Sequence, residues 1–201
     1  MDSDETWTSD EYGKSHEGRV GVLLADGTAP EAVYFDSSSG AIGSTVRHWS
    51  VYDGSAHPKR PRAHLLRAEC ACGWTGESHP VDWETASDLP FREHGAQTAG
   101  RCLGDWDQHT IAVAATTIPV PAELEALLES VSAAIEDLAK VAPTAAVKAA
   151  RTLEIIAQRT AYWPAREAAA ENPEKVAGEL GLNAEETRRL LARFGGFSPY
   201  H

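Results

Sequence analysis

Two prolines, Pro119 and Pro121, separate two kinds of apolar pattern in this 201-residue chain. Before them, apolar residues occur in short runs closed by turn-forming pairs such as Asp26-Gly27, which is typical of β-strands. After them, apolar residues recur at intervals of four and three, which is typical of packed helices. Because proline breaks helices and central strands alike, no regular element is expected to cross this point. The sequence therefore predicts an α+β protein in two parts.

The first part is expected to contain a small antiparallel β domain over residues 18–118. Its short apolar runs predict strands, the clearest of which is Thr45–Tyr52, where apolar and polar residues alternate. Residues 1–17 are rich in Asp, Glu, Ser and Gly and have little apolar content. We expect this segment to be a flexible lead-in.

The second part, residues 119–201, is expected to be all helical. Its first apolar stripe consists of Leu124, Leu128, Val131, Ile135 and Leu138. Its second stripe, beyond Pro143, consists of Val147, Ala150, Leu153 and Ile156. Two stripes separated by a proline predict an antiparallel helical hairpin. The alternative is a dimer, in which the first stripe packs against a second copy or another protein.

Charge and hydropathy limit the classes of partner. The formal net charge is −12, so binding of nucleic acid over the whole surface is excluded, because phosphate contacts need clustered Lys and Arg. Residues 144–201, however, carry eight basic and seven acidic side chains, which leaves this segment able to approach DNA. No apolar run approaches the roughly 20 residues of a membrane-spanning helix, and the N-terminus is acidic, unlike a signal peptide. We expect a cytoplasmic protein that does not contact membranes.

The three cysteines indicate a metal site rather than a disulfide framework. Cys70, Cys72, Cys102 and His109 supply sulfur and nitrogen ligands of the kind that zinc binds tetrahedrally. Gly73 suits a turn whose amides face the thiolates. Two other histidines, His79 and His94, are alternative ligands in place of Cys102 or His109. Buried free thiols and a redox pair remain the competing interpretations.

The number of protein ligands separates two roles for such a metal. Four protein ligands make a closed structural zinc site, whereas an open fourth position would let zinc activate water in a hydrolase. No His-Glu-x-x-His or similar pattern places a carboxylate beside metal-bound water. We therefore expect a structural zinc and a protein that is not an enzyme, with the zinc hydrolase kept as an alternative.

Residues 173–195 resemble a helix-turn-helix of bacterial DNA-binding proteins. Ala177 provides the small residue between the helices, Gly181 the left-handed turn, and Asn183 with Glu186 a capping box for the second helix. The resemblance implies that the chain binds double-stranded DNA, as a transcriptional regulator does. The DNA-contacting residues would be Asn183, Arg188, Arg189 and Arg193.

The same helix-turn-helix departs from the family pattern in its charge. Glu185 and Glu186 lie where the recognition helix would enter the major groove, and phosphates would repel them. The alternative function is therefore a non-enzymatic adaptor, whose helical part contacts another protein.

A second resemblance covers residues 45–115. The segment Cys70-Ala71-Cys72-Gly73-Trp74, followed by Asp105-Trp106-Asp107-Gln108-His109, is similar to small Cys-x-Cys-Gly-Trp proteins of high-GC bacteria. It brings no known activity, and implies only that Cys70, Cys72 and His109 act together.

Overall fold

The computed structural model describes residues 5–9, 11–35, 43–56, 59–84 and 89–196. The chain forms two compact units, Met1–Ala115 and Thr116–His201. The strands are β1 (Thr6–Ser9), β2 (Gly13–Leu23), β3 (Val33–Phe35), β4 (Ser44–Val46), β5 (Leu65–Cys70) and β6 (His79–Pro80). The helices are α1 (Phe91–His94), α2 (Ala96–Ala114), α3 (Ala122–Val141), α4 (Pro143–Ala168), α5 (Pro173–Leu180) and α6 (Ala184–Gly195). An antiparallel sheet combined with helices confirms the α+β class.

The first unit is built on a four-stranded antiparallel sheet in the order β1-β2-β5-β6, while β3 and β4 pair separately. In the central pair, Gly18 lies opposite Cys70 and Val22 lies opposite Leu66. Because side chains alternate along a strand, this register puts every second residue of β2 and β5 on the same face. That face carries the buried Val20, Val22, Leu66 and Ala68.

Helix α2 covers this face of the sheet. Trp106 lies directly against Gly18, where a β-carbon would collide with its indole ring. The Trp106 indole N–H donates to the backbone carbonyl of His16 at 3.0 Å, so the helix is fixed to β2 by packing and by a hydrogen bond. Cys102, one turn earlier, is completely buried in the same core.

Two expectations for the first unit differ from the structure. The flexible lead-in was expected over residues 1–17, but residues 6–9 form β1 and β2 begins at Gly13, with Ser15 and His16 buried. Pairing of β1 with β2 and packing of α2 order this segment despite its polar composition. The strand expected over Thr45–Tyr52 ends at Val46, and a short 3-10 turn follows at Trp49–Val51. His48 caps that turn by accepting from the Ser50 amide.

In the second unit, α3 and α4 contact each other across a single connecting residue, Ala142. Near this turn, Ile135 and Leu138 are half-buried and Ala146 is buried. Farther from the turn, Leu124 and Leu128 remain exposed. The face of α4 that is buried begins at Ala146 rather than at Val147, which is 70% exposed. The two apolar stripes therefore cover each other only in part.

Helices α5 and α6 are joined by a tight turn at Gly181, which has the left-handed backbone conformation with φ of 64°. Asn172 caps α5, and Asn183 caps α6 by accepting from the amides of Glu185 and Glu186. Val176 on α5 and Thr187 on α6 are buried, and α6 contacts both α5 and α4. Among the described residues, no helix has the length and apolar character needed to cross a membrane.

We expect Gly18→Ala to lower the free energy of unfolding by roughly 1–3 kcal/mol, because its methyl group would displace the Trp106 ring. Gly100→Ala is the matched control, since a β-carbon there meets open space on α2. It should raise helix stability by about 0.5–1 kcal/mol. Denaturant titration measures both values, and a Gly18→Ala protein as stable as the parent would contradict the packing.

Candidate metal centre

Four side chains from three elements of the first unit converge at the end of the sheet. His16 comes from β2, Cys70 from the last position of β5, Cys72 from the turn that follows, and His109 from α2. One ligand atom from each residue lies within 4.8 Å of all the others. The four side chains are therefore close enough to hold one metal ion. We call this group the His2Cys2 cluster.

The closest approaches within the His2Cys2 cluster join nitrogen and sulfur atoms. Nδ1 of His16 lies 3.2 Å from Nε2 of His109 and 3.6 Å from Sγ of Cys70. Sγ of Cys72 lies 3.3 Å from the same His109 nitrogen. His16 and Cys70 are buried, while Cys72 and His109 are partly exposed. The cluster is thus reached from one side, through Cys72 and His109.

A tight turn shapes the cysteine end of the cluster. The Gly73 amide donates to the Cys70 carbonyl at 2.9 Å, and Gly73 has a φ of 96°, which favours glycine. The Cys70 amide donates to the Trp74 carbonyl at 2.9 Å, which closes the turn. The Trp74 amide then donates to Sγ of Cys72 at 3.4 Å. Backbone N–H groups directed at sulfur stabilise a thiolate, as metal-binding turns require.

Aromatic rings hold the two histidines in place. The indole of Trp74 stacks on His109 with ring centroids 4.2 Å apart and planes within 3° of parallel. Tyr12 meets the ring of His16 edge-on at 5.5 Å. Packed rings restrict both imidazoles to orientations in which their nitrogens face each other, so the ligand geometry is fixed by the fold.

Burial decides the protonation of the free cluster. It raises the pKa of the Cys70 thiol to about 11, although the Cys72 backbone amide acts in the opposite direction. Burial also lowers the pKa of His109, and the neighbouring His16 lowers it further. Without an ion the cluster therefore favours a neutral thiol at Cys70 and a neutral imidazole at His109. A neutral imidazole keeps the lone pair that a metal ion needs.

The structure brings Cys70, Cys72 and His109 together but leaves Cys102 out of the cluster. Cys102 and His109 lie seven residues apart on α2, which is about 10 Å along a helix axis. The Cys102 thiol is not among the four ligand atoms that lie within 4.8 Å of one another. Cys102 is instead completely buried in the core, where burial and Asp105 raise the pKa of its thiol to about 12.

His16 occupies the place that the sequence analysis assigned to Cys102. It was missed because it lies in the segment expected to be a flexible lead-in. A signal was present in the two-residue spacing of His16, Gly18, Val20 and Val22, which continues the buried face of β2 toward the N-terminus.

The two alternative histidines lie outside the cluster. Nε2 of His79 lies 2.7 Å from Oδ2 of Asp105, which makes a partly buried pair between β6 and α2. His94 packs against Trp83 and Phe91, and its Nδ1 lies 3.3 Å from the Leu89 carbonyl.

The residues expected to contact DNA lie in the second unit. Arg188, Arg189 and Arg193 are all exposed on α6. Arg189 pairs with Glu185, and Arg193 lies 3.5 Å from a carboxylate oxygen of Glu154. Nε of Arg188 donates to the Ala184 carbonyl at 3.3 Å. The side-chain oxygen of Asn183 caps α6 by accepting from the amides of Glu185 and Glu186 at 3.1 and 2.9 Å.

Comparisons of the chain with protein-family models, with curated proteins and with solved structures give no match.

We expect His16→Ala to lower the metal retained by the purified protein at least about tenfold, since even changes around metal ligands cost about 10- to 100-fold in affinity. Cys102→Ala should retain the metal, although it leaves a small cavity in the core. Elemental mass spectrometry of both dialysed variants measures the metal content per chain. Loss of metal from Cys102→Ala and retention by His16→Ala would contradict the ligand set.

Proposed function

We propose that the first unit is a zinc-binding domain in which the His2Cys2 cluster holds a structural zinc ion. Zinc bonds of about 2.3 Å to sulfur and 2.0–2.1 Å to nitrogen give tetrahedral edges of about 3.3 Å between nitrogens and 3.5–3.6 Å between nitrogen and sulfur. Three of the six separations between ligand atoms, 3.2, 3.3 and 3.6 Å, lie close to these edges, and all six lie within 4.8 Å. This agreement is the observation that carries the proposal.

The charge of the donor set also favours zinc. Two thiolates and two neutral imidazoles exactly balance a divalent cation, so a largely buried site acquires no net charge. Hard cations such as Mg²⁺ and Ca²⁺ prefer oxygen ligands, of which this cluster has none.

A closed site favours a structural role over the zinc hydrolase alternative. Four protein ligands complete a tetrahedral shell and leave no position at which zinc could activate water. The ion would join β2, the end of β5 and α2, three elements from distant parts of the chain. Such a cross-link stabilises the fold by the free energy of zinc binding, because the unfolded chain has no preformed site.

Removal of the ion should therefore loosen the first unit selectively. We expect a chelator to reduce the hydrogen-exchange protection of amides in β2 and β5 at least about tenfold. Protection in α4 should not change, and added Zn²⁺, but not Mg²⁺, should restore the protection of β5. Hydrogen exchange followed by mass spectrometry gives this readout by segment. Unchanged protection in β2 and β5 after complete removal of zinc would rule out the structural role.

We further propose that the second unit binds double-stranded DNA through α6, as a regulator does. Support comes from the short α5, the left-handed Gly181 and the capped α6, which are features expected of a helix-turn-helix. Three exposed arginines on α6 supply the positive charge that phosphates need.

Ion pairs within the chain would compete with DNA phosphates for the arginines of α6. Arg189 and Arg193 already face carboxylates, so phosphates must compete with Glu185 and Glu154 for them. Within the described residues, Arg188 has no carboxylate at ion-pair distance, so we assign it the main phosphate contact. Binding should weaken steeply as salt is raised.

Arg188→Glu should reduce the affinity for duplex DNA at low salt by at least about tenfold, because it removes a phosphate contact and adds repulsion. Arg101→Glu is the matched control, since it makes the same charge change at an exposed position of α2 in the first unit. Fluorescence anisotropy with a pool of random duplexes measures both. Equal affinities for Arg188→Glu and the parent would contradict DNA binding by α6.

A second candidate function is the protein-binding adaptor. It is favoured by the large apolar side chains that α3 and α4 expose, including Leu127 at 63% and Leu128 at 58%. An acidic chain that retains no DNA at low salt but co-purifies with a stoichiometric protein would support this alternative.

A further inference from the structure

The part of the α3–α4 pair that lies away from Ala142 exposes large apolar side chains on both helices. It consists of Leu124, Leu127, Leu128 and Val131 on α3 and Leu153 and Ile156 on α4, with exposures between 38% and 63%. We call these six residues the helix-pair patch. Single exposed leucines are ordinary on a protein surface, but several large apolar side chains on two packed helices are typical of a surface that binds another protein.

The two helices that carry the helix-pair patch have opposite charge. Helix α3 contains five carboxylates and one lysine, and those carboxylates are Glu123, Glu125, Glu129, Glu136 and Asp137. Helix α4 contains four basic residues, Lys148, Arg151, Arg159 and Arg166, and two glutamates. A partner that fits both helices must therefore present one acidic and one basic helix, each with an apolar stripe.

We propose that the helix-pair patch is the interface of a homodimer, in which α3 of each copy packs against α4 of the other. A second copy of this chain supplies both required helices, and a two-fold axis lets the same patch serve on both sides. Two helix pairs joined in this way form a four-helix bundle, which buries the stripes that each pair leaves exposed.

The charges of the two helices favour packing of α3 against α4 over packing of α3 against α3. If α3 packed against α3, two strongly acidic helices would lie side by side, and two basic helices would do the same. Packing of α3 against α4 instead places opposite charges across each new contact. Arg159 lies three residues after Ile156 and is exposed, so it borders the patch on the basic helix.

The dimer goes beyond the proposed zinc and DNA functions and does not depend on either. Its interface uses neither the His2Cys2 cluster nor the arginines of α6, so it can be tested on the full chain with zinc present and DNA absent.

The test is sedimentation equilibrium of the full-length protein at concentrations up to about 100 µM. We expect a dimer, and Leu128→Asp should raise its dissociation constant at least about tenfold. Leu89→Asp is the matched control, because Leu89 in the first unit is exposed to the same extent, 57% against 58%. Circular dichroism checks that both variants keep their helices. A monomeric parent, or a Leu128→Asp dimer as tight as the parent, would overturn the proposal.

A charge reversal tests the arrangement within the dimer. Arg159→Glu should weaken the dimer several-fold at low salt, because it would face the acidic α3 of the second copy. The same reversal in an arrangement of α4 against α4 would relieve repulsion and tighten the dimer. Arg101→Glu again serves as the control, and a tighter Arg159→Glu dimer would overturn the packing of α3 against α4.

Discussion

The convergence of His16, Cys70, Cys72 and His109 is the constraint on which the first unit depends. It requires β2 and β5 to pair in one register, a turn to reverse the chain after Cys70, and α2 to lie at a fixed height on the sheet. Gly18 allows α2 to lie this close to the sheet, because any side chain there would displace Trp106 and with it the helix. A zinc ion bound here would add a cross-link between residues far apart in sequence to the buried core of this unit.

The chemistry of the cluster and the packing around it support each other. Burial favours a neutral Cys70 thiol and a neutral His109 imidazole when no ion is bound, because it raises the pKa of the thiol and lowers that of the imidazole. A divalent ion would replace thiol protons and satisfy all four ligands at once. The rings of Trp74 and Tyr12 pack against His109 and His16, respectively. Under this proposal, occupancy of the site would add to the stability of the fold.

Residue type and local spacing carried the sequence predictions that succeeded. Cys70 and Cys72 are separated by one residue and followed by Gly73, so their proximity is a local property. Cys102, the third cysteine expected as a ligand, lies outside the cluster, about two helical turns from His109 on α2. His16 could not be identified as a ligand from the sequence, because its place in the cluster depends on the register of β2 against β5. That register is set by contacts between residues about 50 positions apart. Ion pairs such as Arg193 with Glu154 likewise join separate helices.

X-ray absorption spectroscopy at the zinc edge tests the central claim most directly, because it counts the atoms bound to the ion. The account predicts one zinc per chain with two sulfur neighbours at about 2.3 Å and two imidazole nitrogens at 2.0–2.1 Å. Three sulfur neighbours would place Cys102 in the shell and remove His16. An oxygen neighbour would mean an open position, and either result would contradict a closed His2Cys2 site.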